Sequence, residues 1–148
     1  MQDRISARNC YGVCPQFTAI DDHLTVHEHL YIYGRLKGIH PPSQLQRDIN
    51  ALLDVMGMDI YTNRLAGKLS GGNQRKLALA IALIGMCPVA ESSLCADERA
   101  GNPPVILIDE YSTGIDAKMK RELWATLKQV ATKKSILLTT RKAFHLSS

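Results

Sequence analysis

Two short runs in this 148-residue chain hold the side chains best suited to chemistry. One is VILIDE, Val105 to Glu110, in which four aliphatics are closed by two carboxylates. At the carboxyl end of a buried strand, side chains face the crevice where open α/β sheets bind ligands. A first acid there, Asp109, can hold Mg²⁺, mostly through water. A second, Glu110, can orient or deprotonate an attacking water. Two solvated acids at a strand end would read the same way. The other run is LSGGNQ, Leu69 to Gln74. Ser70 can cap a helix, and Gly71 and Gly72 leave the backbone N–H groups at its start unobstructed. A helix N-terminus carries partial positive charge, so the arrangement suits a phosphate. A capped, flexible turn would need the same residues and no ligand.

The elements that must position these groups follow from periodicity. Thr25 and Glu28 have capping-box spacing, and Leu30, Tyr33 and Leu36 recur at helical intervals after them. Pro41 and Pro42 interrupt that helix. Ser43 with Gln46 predicts a second capping box, before an apolar face of Leu45, Ile49, Leu52, Leu53 and Met56. Gly57 to Lys68 reads as a connector. A third helix is expected from about Ser70 to Ile84, with Leu77, Ile81 and Ile84 in one stripe and Ala78, Ala80 and Ala82 permitting close packing. Residues 86–101 read as a loop. Val105 to Ile108 predicts a strand buried on both faces, as in parallel sheets. Asp116 can cap the following helix, which carries Met119, Leu123, Leu127 and Val130, with Trp124 beside them. SILLTT, residues 135–140, predicts a second buried strand. Strand, helix, strand over 105–140 is a βαβ unit.

Composition narrows the alternatives. Apolar residues are 45% and charged residues 22%, which is globular. The net charge of +4 is spread along the chain without a dense block, so it gives nucleic-acid binding little support. No apolar run reaches the roughly 18 residues that a membrane span needs. Cys10, Cys14, Cys87 and Cys95 fit no common zinc spacing, although His23, His27 and His29 lie nearby in sequence. Free thiols in a reducing compartment are the simplest reading.

Taken in order, CPQF (14–17), LSGGNQ (69–74), VILIDE (105–110) and STGID (112–116) resemble the nucleotide-binding domain of an ABC transporter. Gln16 matches the Q-loop glutamine, Leu69 to Gln74 the signature motif, Val105 to Glu110 the Walker B strand, and Ser112 to Asp116 the D-loop. The wording of YGVCPQF, DDHLTVHEHLY and GKLSGGNQRKLALAIALIG is similar to subfamily A, the lipid-exporting branch. The resemblance implies an α/β fold: a partial P-loop NTPase with a RecA-like parallel sheet and an ABC helical subdomain. It divides the chain into a Q-loop part of the core (1–20), a helical subdomain with signature motif and helix (21–85), an atypical insertion (86–101) and a Walker B and D-loop part (102–148). ATP and Mg²⁺ are the implied ligands. Ser70, Gly71, Gly72, Gln74 and Asp116 would bind nucleotide, Asp109 and Gln16 would serve the metal, and Glu110 and Gln16 would be catalytic. The implied partners are a second nucleotide-binding domain and a transmembrane domain. The chain would sit at the cytoplasmic face of a membrane through that domain, with no nucleic acid involved.

The chain departs from the family pattern in four places. No G-x-x-x-x-G-K-[ST] phosphate loop occurs in it, which predicts a truncated domain that is poorly stable and inactive alone. A missing central strand would leave the backbone of residues 105–108 unpaired. Removing residues 86–101 restores a family-like join, so a retained intron or a surface loop explains them. Arg141 stands where the family places a histidine after the TT strand end, with His145 four residues on. Tyr111 replaces the usual proline. Two other functions stay open: an inactive interaction fragment completing another subunit's ATP site, and a soluble ABC-type ATPase of DNA repair. The absence of sustained heptads over residues 17–69 speaks against the second of these.

Overall fold

The computed structural model describes residues 11–14, 20–85, 105–109, 117–130 and 135–139. Among the described residues, three parallel strands lie in the order β1 (Tyr11–Cys14), β2 (Val105–Ile108), β3 (Ser135–Leu138). Val105 sits opposite Tyr11 on one side and Ser135 on the other, and the register runs on to Ile108 opposite Cys14 and Leu138. The parallel β2–helix–β3 unit expected from sequence is present, with α4 (Ala117–Val130) as the crossover. Four helices occur among the described residues, α1 (Val26–Leu36), α2 (Pro42–Met56), α3 (Gly71–Leu83) and α4. Two short 3₁₀ turns, Asp59–Tyr61 and Ala66–Lys68, join α2 to α3.

The strands correct several expectations. YGVC was not foreseen as a strand, because Gly12 breaks any run of β-formers, yet it gives β2 its first neighbour. β2 is therefore paired on both sides, and the expected loss of its backbone partners does not occur. Ile106 and Ile108 are fully buried, whereas Val105 and Leu107 are only half-buried, so one face of β2 is covered completely and the other in part. β3 is not a buried strand: Leu137 is 60% exposed and Ser135 is open to solvent. Its aliphatics reflect a place at the edge of this sheet, where a run of apolar residues alone cannot tell edge from centre.

The helices match the periodicity, with one correction. Thr25 caps α1 through both arms of the box: its hydroxyl accepts from the Glu28 N–H, and the Glu28 carboxylate accepts from the Thr25 N–H at 2.8 Å. The Ser43–Gln46 box does not form. α2 begins at Pro42, one residue before Ser43, with Pro41 as an N-cap that offers no side-chain acceptor. Proline suits that first turn because its missing N–H would have had no helical partner. Gln46 instead bonds His27 and Asn50. α2 closes on Gly57 in the left-handed conformation, φ +61°, with the Met58 N–H reaching back to the Leu53 carbonyl at 2.8 Å.

Leu30, Leu45, Ile49, Leu52, Leu53, Leu77, Leu83 and Ile84 form one buried core that continues to Ile106, Leu123 and Leu127. α1 and α2 cross closely at Gly34, where an added Cβ would lie 2.3 Å from Leu45 Cδ1. α3 is buried almost all round. Ala78, Ala80 and Ala82 let it sit against α1, α2 and β1 together. That leaves its two interior cations, Arg75 and Lys76, obliged to find acceptors.

Candidate functional site

The signature run forms the start of α3. Ser70 is the N-cap in extended backbone, and its hydroxyl accepts from the Asn73 N–H at 3.3 Å. The Ser70 carbonyl takes the first helical bond, from the Gln74 N–H at 2.8 Å. Ser70 and Gly71 are exposed. Among the described residues, no heavy atom outside the adjoining residues and the helix's own backbone lies within 4 Å of the place a Gly71 Cβ would occupy, so the helix start is open at that point. The Gln74 amide does not face that space; its Nε2 donates to the Ala66 carbonyl at 3.1 Å. It thus ties the helix to the turn before it. That turn packs on the 20–25 segment, where the Gly67 N–H meets the Asp22 carbonyl and a Gly67 Cβ would come within 2.8 Å of Asp22. Only glycine fits so close a crossing.

Asp109 follows β2 directly and is exposed, yet it is held at three atoms by three elements. Its N–H donates to the Cys14 carbonyl at the end of β1, 2.9 Å away. Its own carbonyl accepts from Arg75 Nη2 on α3 at 2.6 Å. Its Oδ1 accepts from the Thr139 hydroxyl, just past β3, at 2.5 Å. The Thr139 N–H in turn donates to the Ile108 carbonyl at 3.0 Å. Arg75 is 5% exposed, so its bond to Asp109 is a charge-assisted contact screened from water. Cys14 is a buried free thiol at the same junction. Burial pushes it above its ordinary range; Arg75 opposes that and Asp109 adds to it.

Of the residues singled out by sequence, Ser70, Gly71, Gly72, Gln74 and Asp109 are described. Arg75 joins the helix that bears the first four to the strand end that bears the fifth. Gln16, Glu110, Asp116, Arg141 and His145 lie outside the described residues, as does the 86–101 segment. Arg75 and Thr139 were not anticipated. The readable signal was a pair of cations leading directly into LALAIAL, a run apolar on every side of the helix, which requires buried acceptors.

The donor chemistry around Asp109 is hard oxygen, a carboxylate beside a hydroxyl. Among the described residues no three of His, Cys, Asp and Glu gather as a metal cluster. A cation here would draw most of its ligands from water and from a phosphate, which fits Mg²⁺. His27 and His29 are committed elsewhere. His29 is buried, with Nε2 accepting from the Asp21 N–H at 3.0 Å and Nδ1 against the Thr25 carbonyl at 2.8 Å. That pair of partners assigns the proton to Nδ1. His27 Nε2 bonds Gln46 at 2.9 Å.

Comparison with known proteins converges on one family. The family model described as ABC transporter matches residues 1–101. The retinal-specific phospholipid-transporting ATPase ABCA4 of Bos taurus is 42% identical over 130 residues, covering 87% of this chain and 5% of that protein. ATP-binding cassette sub-family A member 7 of Mus musculus is 38% identical over 140 residues, covering 94% of this chain and 6% of that one. The chain thus spans only a small part of the relatives it matches. A solved ATP-binding cassette, in a dimeric post-hydrolysis state bound to ADP and Pi, superposes with a TM-score of 0.72. It is 22% identical and covers 95% of this chain and 56% of its own. At that identity it establishes the fold, that of an ABC ATPase domain. The chain belongs to the ABC transporter family, and within it resembles the nucleotide-binding domains of subfamily A.

Proposed function

We propose that this chain is the signature-bearing part of an ATP-binding cassette that couples ATP binding and hydrolysis to transport across a membrane, of lipids by analogy with its phospholipid-transporting relatives. One observation carries the reading. Among the described residues, a serine-capped helix start that is open at Gly71 and an acid at the end of the middle parallel strand are joined through a buried arginine.

The roles follow from position. Ser70, Gly71 and Gly72 present a hydroxyl and unobstructed N–H groups to the γ-phosphate of an ATP held by a second nucleotide-binding domain. Gln74 supports that mouth by holding it to the Ala66 turn. Asp109 and Gln16 serve Mg²⁺, which when bound supplies charge neutralisation at the phosphate oxygens. Glu110 orients the hydrolytic water, and Asp116 acts across the dimer. The units 1–20, 21–85, 86–101 and 102–148 serve as core, helical subdomain, insertion and core. Among the described residues no helix is long and apolar enough to cross a membrane. By analogy with its transporter relatives, the chain works at the cytoplasmic face of a membrane through a transmembrane partner domain. The sequence of this chain contains no G-x-x-x-x-G-K-[ST], so hydrolysis needs a phosphate loop from outside these residues.

An amide-shift titration of the ¹⁵N-labelled chain with ATP and Mg²⁺ tests this, because it registers weak contacts. The Gly71, Gly72 and Asn73 amides should move together, and Gly71→Asp, which places a carboxylate at the anion position, should abolish the movement. Shifts confined to other parts of the chain, or unaffected by Gly71→Asp, refute the reading.

A further inference from the structure

The bonds that fix Asp109 reach beyond the signature and Walker B residues themselves. Its backbone is gripped on both sides, the N–H by the Cys14 carbonyl and the C=O by the buried Arg75 guanidinium, and its carboxylate is gripped by the Thr139 hydroxyl. These partners come from β1, α3 and the end of β3, so the acid is set by the whole sheet edge and by the signature helix together. An exposed aspartate left to itself would sample several rotamers, and ordering it on ligand binding would cost side-chain entropy.

We propose that Thr139 and Arg75 are positioning residues for Asp109: Thr139 orients its carboxylate toward a divalent cation, and Arg75 locks its peptide to the signature helix. The proposal rests on the reading of Asp109 as a magnesium-facing acid. Outer partners that orient a ligating carboxylate are typically worth about 10–100-fold in metal affinity. An exposed hydroxyl partner belongs at the lower end of that range.

The test uses Mn²⁺ alone as the probe, with paramagnetic broadening of amides in the full ¹⁵N-labelled chain. Wild-type chain should show broadening centred on Asp109. Thr139→Val keeps the branched shape and deletes the donor, and should raise the Mn²⁺ midpoint about 10-fold with the urea midpoint unchanged. Thr139→Ser restores the hydroxyl and should return the midpoint close to wild type. Arg75→Met should speed hydrogen exchange at the Asp109 amide; should that variant fail to fold, the Thr139 pair still decides. A midpoint in Thr139→Val equal to wild type, where Asp109→Asn abolishes broadening, overturns the proposal and leaves the role of Asp109 standing. Broadening that survives Asp109→Asn, or is absent from wild type, overturns that role and the proposal with it.

Discussion

Lys37 offers the sharpest test of how the signature helix is anchored. It follows α1, and its ammonium crosses to the far end of α3, donating to the carbonyls of Ile81, Ala82 and Ile84 at 2.9, 2.9 and 3.1 Å. The last carbonyls of a helix have no partner within it, and here one lysine satisfies three acceptors with its three N–H bonds. The contact costs something, because burial pushes the Lys37 ammonium down from 10.5 to about 8. That fall corresponds to about 3 kcal/mol against the charged form at neutral pH. Lys37→Met removes this penalty and strands three acceptors at about 2 kcal/mol each, about 6 in all. The difference predicts a loss of about 2–3 kcal/mol at pH 7, read as a shift of the urea midpoint. The pH dependence has a definite sign. Between about pH 8 and 10.5 the unfolded chain keeps a proton that the folded chain has released, so wild-type stability climbs with pH. The gap between wild type and Lys37→Met should therefore widen over that window. A gap that narrows there would show that the three carbonyls outweigh burial, and would refute the reasoning.

Two further perturbations probe α1. Thr25→Ala should cost about 1 kcal/mol, the usual worth of an N-cap, seen in thermal unfolding. The Glu28 carboxyl is held below 4.5 by the Thr25 N–H first and the Thr25 hydroxyl second. Its contribution is present above 4.5 and disappears as pH falls through the lower folded value, and Thr25→Ala should diminish that acid-limb dependence. Gly34→Val should destabilise by about 1–3 kcal/mol through overpacking against Leu45, and Leu45→Ala in the same chain should relieve part of the clash. Strict additivity of those two changes would argue that α1 and α2 do not meet at that point.

Much of this arrangement was legible in the residues. Thr25–Glu28, Ser70 and the apolar stripe of α2 are local devices, in which the partner lies within a turn or two, so spacing alone finds them. The Ser43–Gln46 box failed by two residues of phase, because Pro41 is the N-cap and Pro42 takes the first helical position. β1 was missed because its pairing with β2 joins Tyr11–Cys14 to Val105–Ile108, and nothing in YGVC records a partner so far along the chain. β3 was misplaced for the same reason: SILL states that it is apolar, while its position relative to the other strands decides how much of it is buried.

The contacts around the site were the least legible, and they share one physical form. Arg75 donates to the Asp109 carbonyl, Lys76 to the Met56 carbonyl at the end of α2, and Lys37 to three carbonyls at the end of α3. Each is a cation meeting the electronegative end of a strand or helix, where backbone acceptors have no other donor. A backbone acceptor exists at every residue, so no particular side-chain pair in the sequence can announce these contacts. Lys76 adds one readable partner, Glu122 at 3.1 Å, and Glu122 is half-exposed while Lys76 is not, so the carbonyl contact is the better shielded of the two. Three cations thus tie α3 at its second turn to β2, α2 and α4, and at its last turn to α1. A helix held this way has little freedom to shift at one end alone. Arg75 links the second turn of that helix, five residues past its Ser70 cap, directly to the carbonyl of Asp109.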